Sequence, residues 1–161
     1  RRDFDGCFMH FNHFVKVHQQ SLLHQKYLLG YLGRGAAVLC ANSQPGVDAV
    51  LTGIRSLTAH TSNLIPILVQ SKNDMHYTAR PDERLFEAMN PYDLGIWGPN
   101  DANTNKRVIR VVFALAVQRE NAQVTMKRRE ITKVGETFVS YDIWIAGLAS
   151  RTITPISLQE E

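Results

Sequence analysis

The segment RVIRVVFALAV, residues 107 to 117, constrains this chain more than any other. It is the most continuous apolar run in the sequence and is rich in β-branched residues, yet it is well short of the roughly 18 apolar residues a membrane span needs. Such a run predicts a central strand buried on both faces, and a strand of that kind needs helices packed against its sheet. Around it the other elements fall into place. Residues 11 to about 32 read as one long helix, with Phe11, Phe14, Val15, Leu22, Leu29 and Leu32 on one stripe and GRG at 33–35 as its stop. AAVLCA (36–41), GVDAVLTG (46–53) and LIPILVQSK (64–72) read as three strands, and Pro66 puts the early part of the third at an edge or bulge. RPDERLFEAMN (80–90) reads as a helix, with Pro81 in its first turn and acids just after it. Residues 95–105 read as loop, QRENAQVTMKRREITK (118–133) as either helix or loop, and TFVSYDIWIAGL (137–148) as a further strand. The order predicts an α/β fold with a mixed central sheet flanked by helices.

With 161 residues, 44% of them hydrophobic and 20% charged, the chain is expected to form a single domain over 1–161. It begins at Arg1 and not at Met, so it reads as a piece of a longer chain with other domains. Eighteen basic against fifteen acidic side chains leave a net charge of +3, which permits nucleic acid without indicating it. Cys7 and Cys40 alone make no disulfide framework, and this points to a reducing intracellular setting, nucleus and cytoplasm both open. No phosphate-cradling glycine loop, nucleophile elbow or zinc-ligand spacing occurs. Among His10, His13, His18 and His24 only His10 and His13 have the spacing of a ligand pair, and the four read as a solvated helix face.

Chemistry concentrates where ILVQSKND (67–74) follows PGVDAVL (45–51). A buried strand has no packing reason to end on an amide and a lysine of the same parity. If residues 46–52 and 64–72 pair as antiparallel neighbours, Asp48 and Gln70 lie close across the pair. Gln70 and Lys72 then project together while Ser71 points away. Magnesium takes hard oxygen ligands, often one or two carboxylates with several waters. Asp48 can supply the anion, Gln70 its amide oxygen and Ser71 its backbone carbonyl. Lys72 would orient or help deprotonate a water and offset charge developing on a phosphate. Asp74 shares the parity of Lys72 and joins the site if the strand persists.

GVDAVL followed by ILVQSK resembles the PD-(D/E)xK nuclease core, in the form seen in Mrr-like restriction endonucleases where Gln replaces the acid of ExK. The preceding helix, the AAVLCA strand and the following helix match that family's order, over roughly residues 19–117. The resemblance implies a restriction-endonuclease-like core, with Asp48 as metal ligand, Gln70 as the variant ligand and Lys72 as catalytic lysine. It also implies Mg2+ or Mn2+ as cofactor and hydrolysis of phosphodiester bonds, with DNA as the expected substrate. Two departures matter. Gln70 removes a negative charge from the metal site, and the first helix carries no Asp or Glu between Phe11 and Leu32, with Gln19, Gln20 and Gln25 the nearest substitutes. An inactive nuclease-fold module that binds nucleic acid or a protein partner is therefore the alternative, and a structural interaction domain of a larger chain is a third.

Lys127, Arg128 and Arg129 in KRRE are candidate phosphate contacts, set against a solvated charge run. Tyr92, Trp97 and Phe86 could stack bases, although aromatics beside a helix and a loop more often pack in a core or rim. A homodimer fits the expected class, and no membrane partner is expected.

Overall fold

Every strand among the described residues joins one mixed sheet, and the sheet sets where side chains can meet. The computed structural model describes residues 2–42, 44–99, 101, 106–117, 122–133 and 135–147. In chain order the elements are β1 (Phe8–Met9), β2 (His13–Lys16), α1 (Gln25–Gly33), β3 (Ala36–Leu39), β4 (Ala49–Ile54), β5 (Leu64–Lys72), α2 (Glu83–Ala88), β6 (Arg107–Ala114), β7 (Gln123–Lys133) and β8 (Glu136–Ala146). The strands run side by side as β2-β3-β4-β5-β6-β8-β7, and β1 pairs with the far end of β4. Neighbours β3/β4, β4/β5 and β7/β8 are antiparallel, whereas β2/β3, β5/β6 and β6/β8 are parallel. The fold is mixed α/β with few helices.

Register carries one face across the sheet. Val50 lies opposite Leu68, Leu68 beside Arg110, and Arg110 beside Asp142; one step along, Gln70 lies beside Val112 and Val112 beside Trp144. All seven are buried. Phe86 of α2 and the segment after it, with Met89, Leu94, Ile96 and Trp97, join the same core. Burying a side chain of this size stabilises the fold by roughly 1.5–3 kcal/mol each.

Among these apolar groups sits a buried ion pair. Arg110 gives Nε and Nη2 to the two oxygens of Asp142 (2.6 and 2.8 Å) and Nη1 to the Phe86 carbonyl (2.6 Å), which ties α2 to the centre of the sheet. On the opposite face the N-terminal segment crosses β8. Phe4 stacks edge-on against Tyr141 (4.6 Å), and the Tyr141 hydroxyl donates to Asp3.

Several segments differ from the sequence reading. The long helix expected over 11–32 is broken into β2, a short 3-10 turn (Gln20–Leu23) and α1. Aromatic and β-branched residues in HFVK favour an extended chain, and pairing with β3 supplies the hydrogen bonds. Phe11 and Phe14 stack on each other at 5.5 Å and stay exposed, so they form no core stripe. Residues 123–133, read as helix or loop, form an edge strand instead, because each residue of β7 finds a partner on β8. Gly135 (φ +76°) turns that hairpin. Residues 107–114 are central but not buried on both faces. Val108, Arg110, Val112 and Ala114 are buried, whereas their alternates are only partly covered. Pro66 lies opposite Thr52 of β4 and ahead of Ile67, where pairing with β6 begins, so its missing N–H costs no ladder bond on that side.

Candidate functional site

The carboxyl ends of β2, β3 and β5 and the amino end of β4 lie together, and a groove of about 510 Å³ opens across them. Asp48, Gln70 and Lys72 all line it, together with Lys16, Cys40, Asn42 and Gln44. Asp48 stands just before β4 and is stitched on both sides: its N–H donates to the Val69 carbonyl (2.8 Å), and its carbonyl accepts from Cys40 (2.9 Å). Its carboxylate Oδ2 accepts from the Ser71 N–H at 2.6 Å, which adds one rung to the β4–β5 ladder through a side chain. That bond fixes the carboxylate's orientation. Oδ1 keeps no protein donor among the described residues.

Gln70 is 5% exposed, and its Oε1 is buried without a hydrogen-bond partner. An unpaired buried acceptor costs about 1–3 kcal/mol, so the position calls for a donor or a cation. Lys72 ends β5, and its carbonyl accepts from Leu115 (2.8 Å). Its ammonium has no carboxylate partner among the described residues. Ser71 is exposed and lies outside the groove lining; it contributes its backbone.

The far wall is the turn at 44–46. Gly46 has φ +83°, and a Cβ there would lie 2.2 Å from the Ala88 carbonyl oxygen, so only glycine lets this turn seat against the end of α2. Cys40 is 7% exposed, and burial, with the Asp48 carboxylate adding to it, pushes its thiol up to about 12. A thiol held neutral in this way supplies no free thiolate nucleophile near neutral pH.

One carboxylate, one amide oxygen and room for waters and phosphate oxygens is a donor set that suits magnesium or manganese. It does not suit zinc, and no three His, Cys, Asp or Glu side chains gather to hold a metal among the described residues.

Other candidates lie elsewhere. Lys127, Arg128 and Arg129 are on β7, at the opposite edge of the sheet, and each faces acids of this chain. Lys127 lies 3.7 Å from Glu83, Arg128 lies 3.6 Å from Asp3, and Arg129 pairs with Glu83. Arg129 Nε also lies 2.9 Å from Asp142 Oδ2, without the alignment of a hydrogen bond. Asp74 is bound to the backbone and ring of His76 in an exposed turn and does not join the groove. Phe86 and Trp97 are core residues, and Tyr92 accepts from the buried Lys106 (2.7 Å). Gln25 is buried at the start of α1 and does not line the groove. Lys16, Asn42 and Gln44 had no signal in the sequence: Lys16 sat within the expected long helix, and NSQPG read only as a turn.

No protein-family model matches the chain, and neither a curated protein nor a solved structure is found to be similar to it.

Proposed function

We propose that this chain is a divalent-metal-dependent endonuclease that hydrolyses phosphodiester bonds in DNA, built on a restriction-endonuclease-like core. One observation carries the reading. A buried amide oxygen, Gln70 Oε1, shares a groove with an oriented carboxylate and with Lys72, and neither the amide oxygen nor the lysine ammonium has a partner among the described residues. The order of elements supports it as well. Helix α1 leads into three antiparallel strands, β3, β4 and β5, and α2 then crosses to a fourth strand, β6, parallel to the third.

Asp48 and Gln70 would hold the magnesium or manganese ion. Ser71 is extended, so its carbonyl leaves the strand on the same edge as the N–H that Asp48 accepts, and it would supply a third oxygen. A bound divalent ion supplies Lewis-acid polarisation of a phosphate and a more acidic water. Lys72 adds a positive charge at the same groove, placed to offset charge that develops on a phosphate oxygen. The Ser71 N–H keeps the Asp48 carboxylate from turning away.

The alternative is a catalytically inactive module that binds nucleic acid. It is favoured by the groove's charge, because Asp48 is the one carboxylate among its described lining residues. Supercoiled plasmid incubated with magnesium or manganese, with and without chelator, separates the two. The enzyme converts it to nicked and linear forms only when metal is present. The module binds it and leaves it intact.

A further inference from the structure

Opposite Asp48 and Gln70, the same groove has a second polar wall that metal chemistry does not use. Lys16, the last residue of β2, donates to Asn42 Oδ1 at 3.0 Å and has no carboxylate partner among the described residues. The asparagine holds the ammonium at the rim without neutralising it. Gln44, two residues on, has its Nε2 buried with no acceptor. An orphaned donor lining the same groove as a held ammonium calls for an anion, much as an orphaned acceptor lining it with a carboxylate calls for a cation. The described lining residues carry two ammonium groups, Lys16 and Lys72, against one carboxylate, Asp48, which leaves a formal charge of +1. Lys127, Arg128 and Arg129 of β7, by contrast, each lie against an acid of this chain, Glu83 for Lys127 and Arg129 and Asp3 for Arg128. At about 510 Å³ the groove has room for a nucleotide-sized group.

We propose that Lys16 and Gln44 form a second phosphate subsite, so that a nucleic-acid strand crosses the groove with one backbone phosphate at Lys72 and another at Lys16. The subsite rests on the nuclease reading only for the identity of its ligand as a phosphodiester strand. Lys16 contributes charge and Gln44 a neutral hydrogen bond, and the two contributions respond differently to salt. An ammonium that meets a phosphate releases counterion, whereas an amide does not.

The test is fluorescence anisotropy of a labelled DNA oligonucleotide, with calcium replacing magnesium, across a series of salt concentrations. Lys16→Ala should weaken binding several-fold and reduce the slope of log affinity against log salt by about 0.7–0.9, the share of one phosphate contact. Lys16→Arg should restore both. Gln44→Leu should weaken binding while leaving the slope at its wild-type value. Unlabelled 5′-phosphorylated dinucleotide, which carries two phosphates, should compete better than mononucleotide or inorganic phosphate, which offer one. Lys16→Ala with wild-type affinity and slope overturns the subsite, and so does equal competition by the mononucleotide. Plasmid nicking by the wild-type protein is scored in parallel. Binding with these slopes but no nicking leaves the subsite and removes the enzyme. Nicking with an unaltered Lys16→Ala profile does the reverse.

Discussion

Gln70 is the residue on which the reading turns, since a buried amide oxygen left unpaired is a cost that sheet packing does not explain. Gln70→Glu adds an anion beside Asp48 and should tighten magnesium or manganese binding by about an order of magnitude, because ligand charge governs affinity for hard cations. Titration calorimetry checks it, and an unchanged affinity would remove Gln70 from the ligand set. Gly46 tests the groove's wall. Gly46→Ala has to accommodate both φ +83° and a Cβ 2.2 Å from a backbone oxygen. It should cost about 2 kcal/mol or more in urea denaturation, within the range of backbone strain plus overpacking. Cys40 gives a pH signature. Its thiol is raised to about 12 in the folded protein from an ordinary value of 9.0, so the folded state retains a proton that the unfolded state loses. Its contribution to stability is therefore complete below about pH 9 and is lost as pH rises towards 12. Denaturation at pH 8, 9.5 and 11 should show stability declining, with a shallower decline in Cys40→Ala.

Among the elements, the joint between α2, β6 and β8 depends on Arg110 and Asp142, both buried. Removing one partner strands a buried charge, so Asp142→Ala should destabilise the fold by about 3–5 kcal/mol. Arg110→Met combined with Asp142→Leu should recover most of that loss. Chemical denaturation of the three proteins decides it, and an additive loss in the double variant would contradict the role given to the pair. Legibility in the sequence divides along the same elements. β5 was readable to the residue because a β-branched and leucine-rich run ended in a polar change of character. The parity of Gln70 and Lys72 followed from local pattern alone, whereas the antiparallel pairing of β5 with β4 entered only as a condition that the register meets. β2 and β7 were not readable. HFVK is half aromatic or β-branched but was surrounded by residues at helical spacing, and KRREITK has the composition of a solvated helix. Long-range pairing with β3 and β8 overrides both local patterns. Buried arginine was hidden for a different reason. Nothing in RVIRVVFALAV says that its second arginine finds an aspartate 32 residues on.

At the scale of the whole molecule, the sheet divides its charges. Cations of the β7 edge lie against acids from α2 and the N-terminal segment, whereas Lys16 and Lys72 line an open groove with no carboxylate paired to either among the described residues. Nucleic acid is thus expected at the β2–β5 end, and charge changes on β7 should alter affinity little. Lys127→Ala should leave oligonucleotide affinity within about twofold, as removal of a surface ion pair with little net energy does. Lys72 decides between enzyme and binding module most directly. Cleavage and binding are to be measured on the same Lys72→Ala protein, with magnesium or manganese for plasmid nicking and calcium for affinity. A nuclease should lose turnover by roughly a hundredfold or more, the scale of a lost contact to developing charge. Its DNA affinity should fall only by the share of about one phosphate contact. Wild-type protein that binds DNA and never nicks it, or a Lys72→Ala protein that nicks as fast as wild type, would contradict the account.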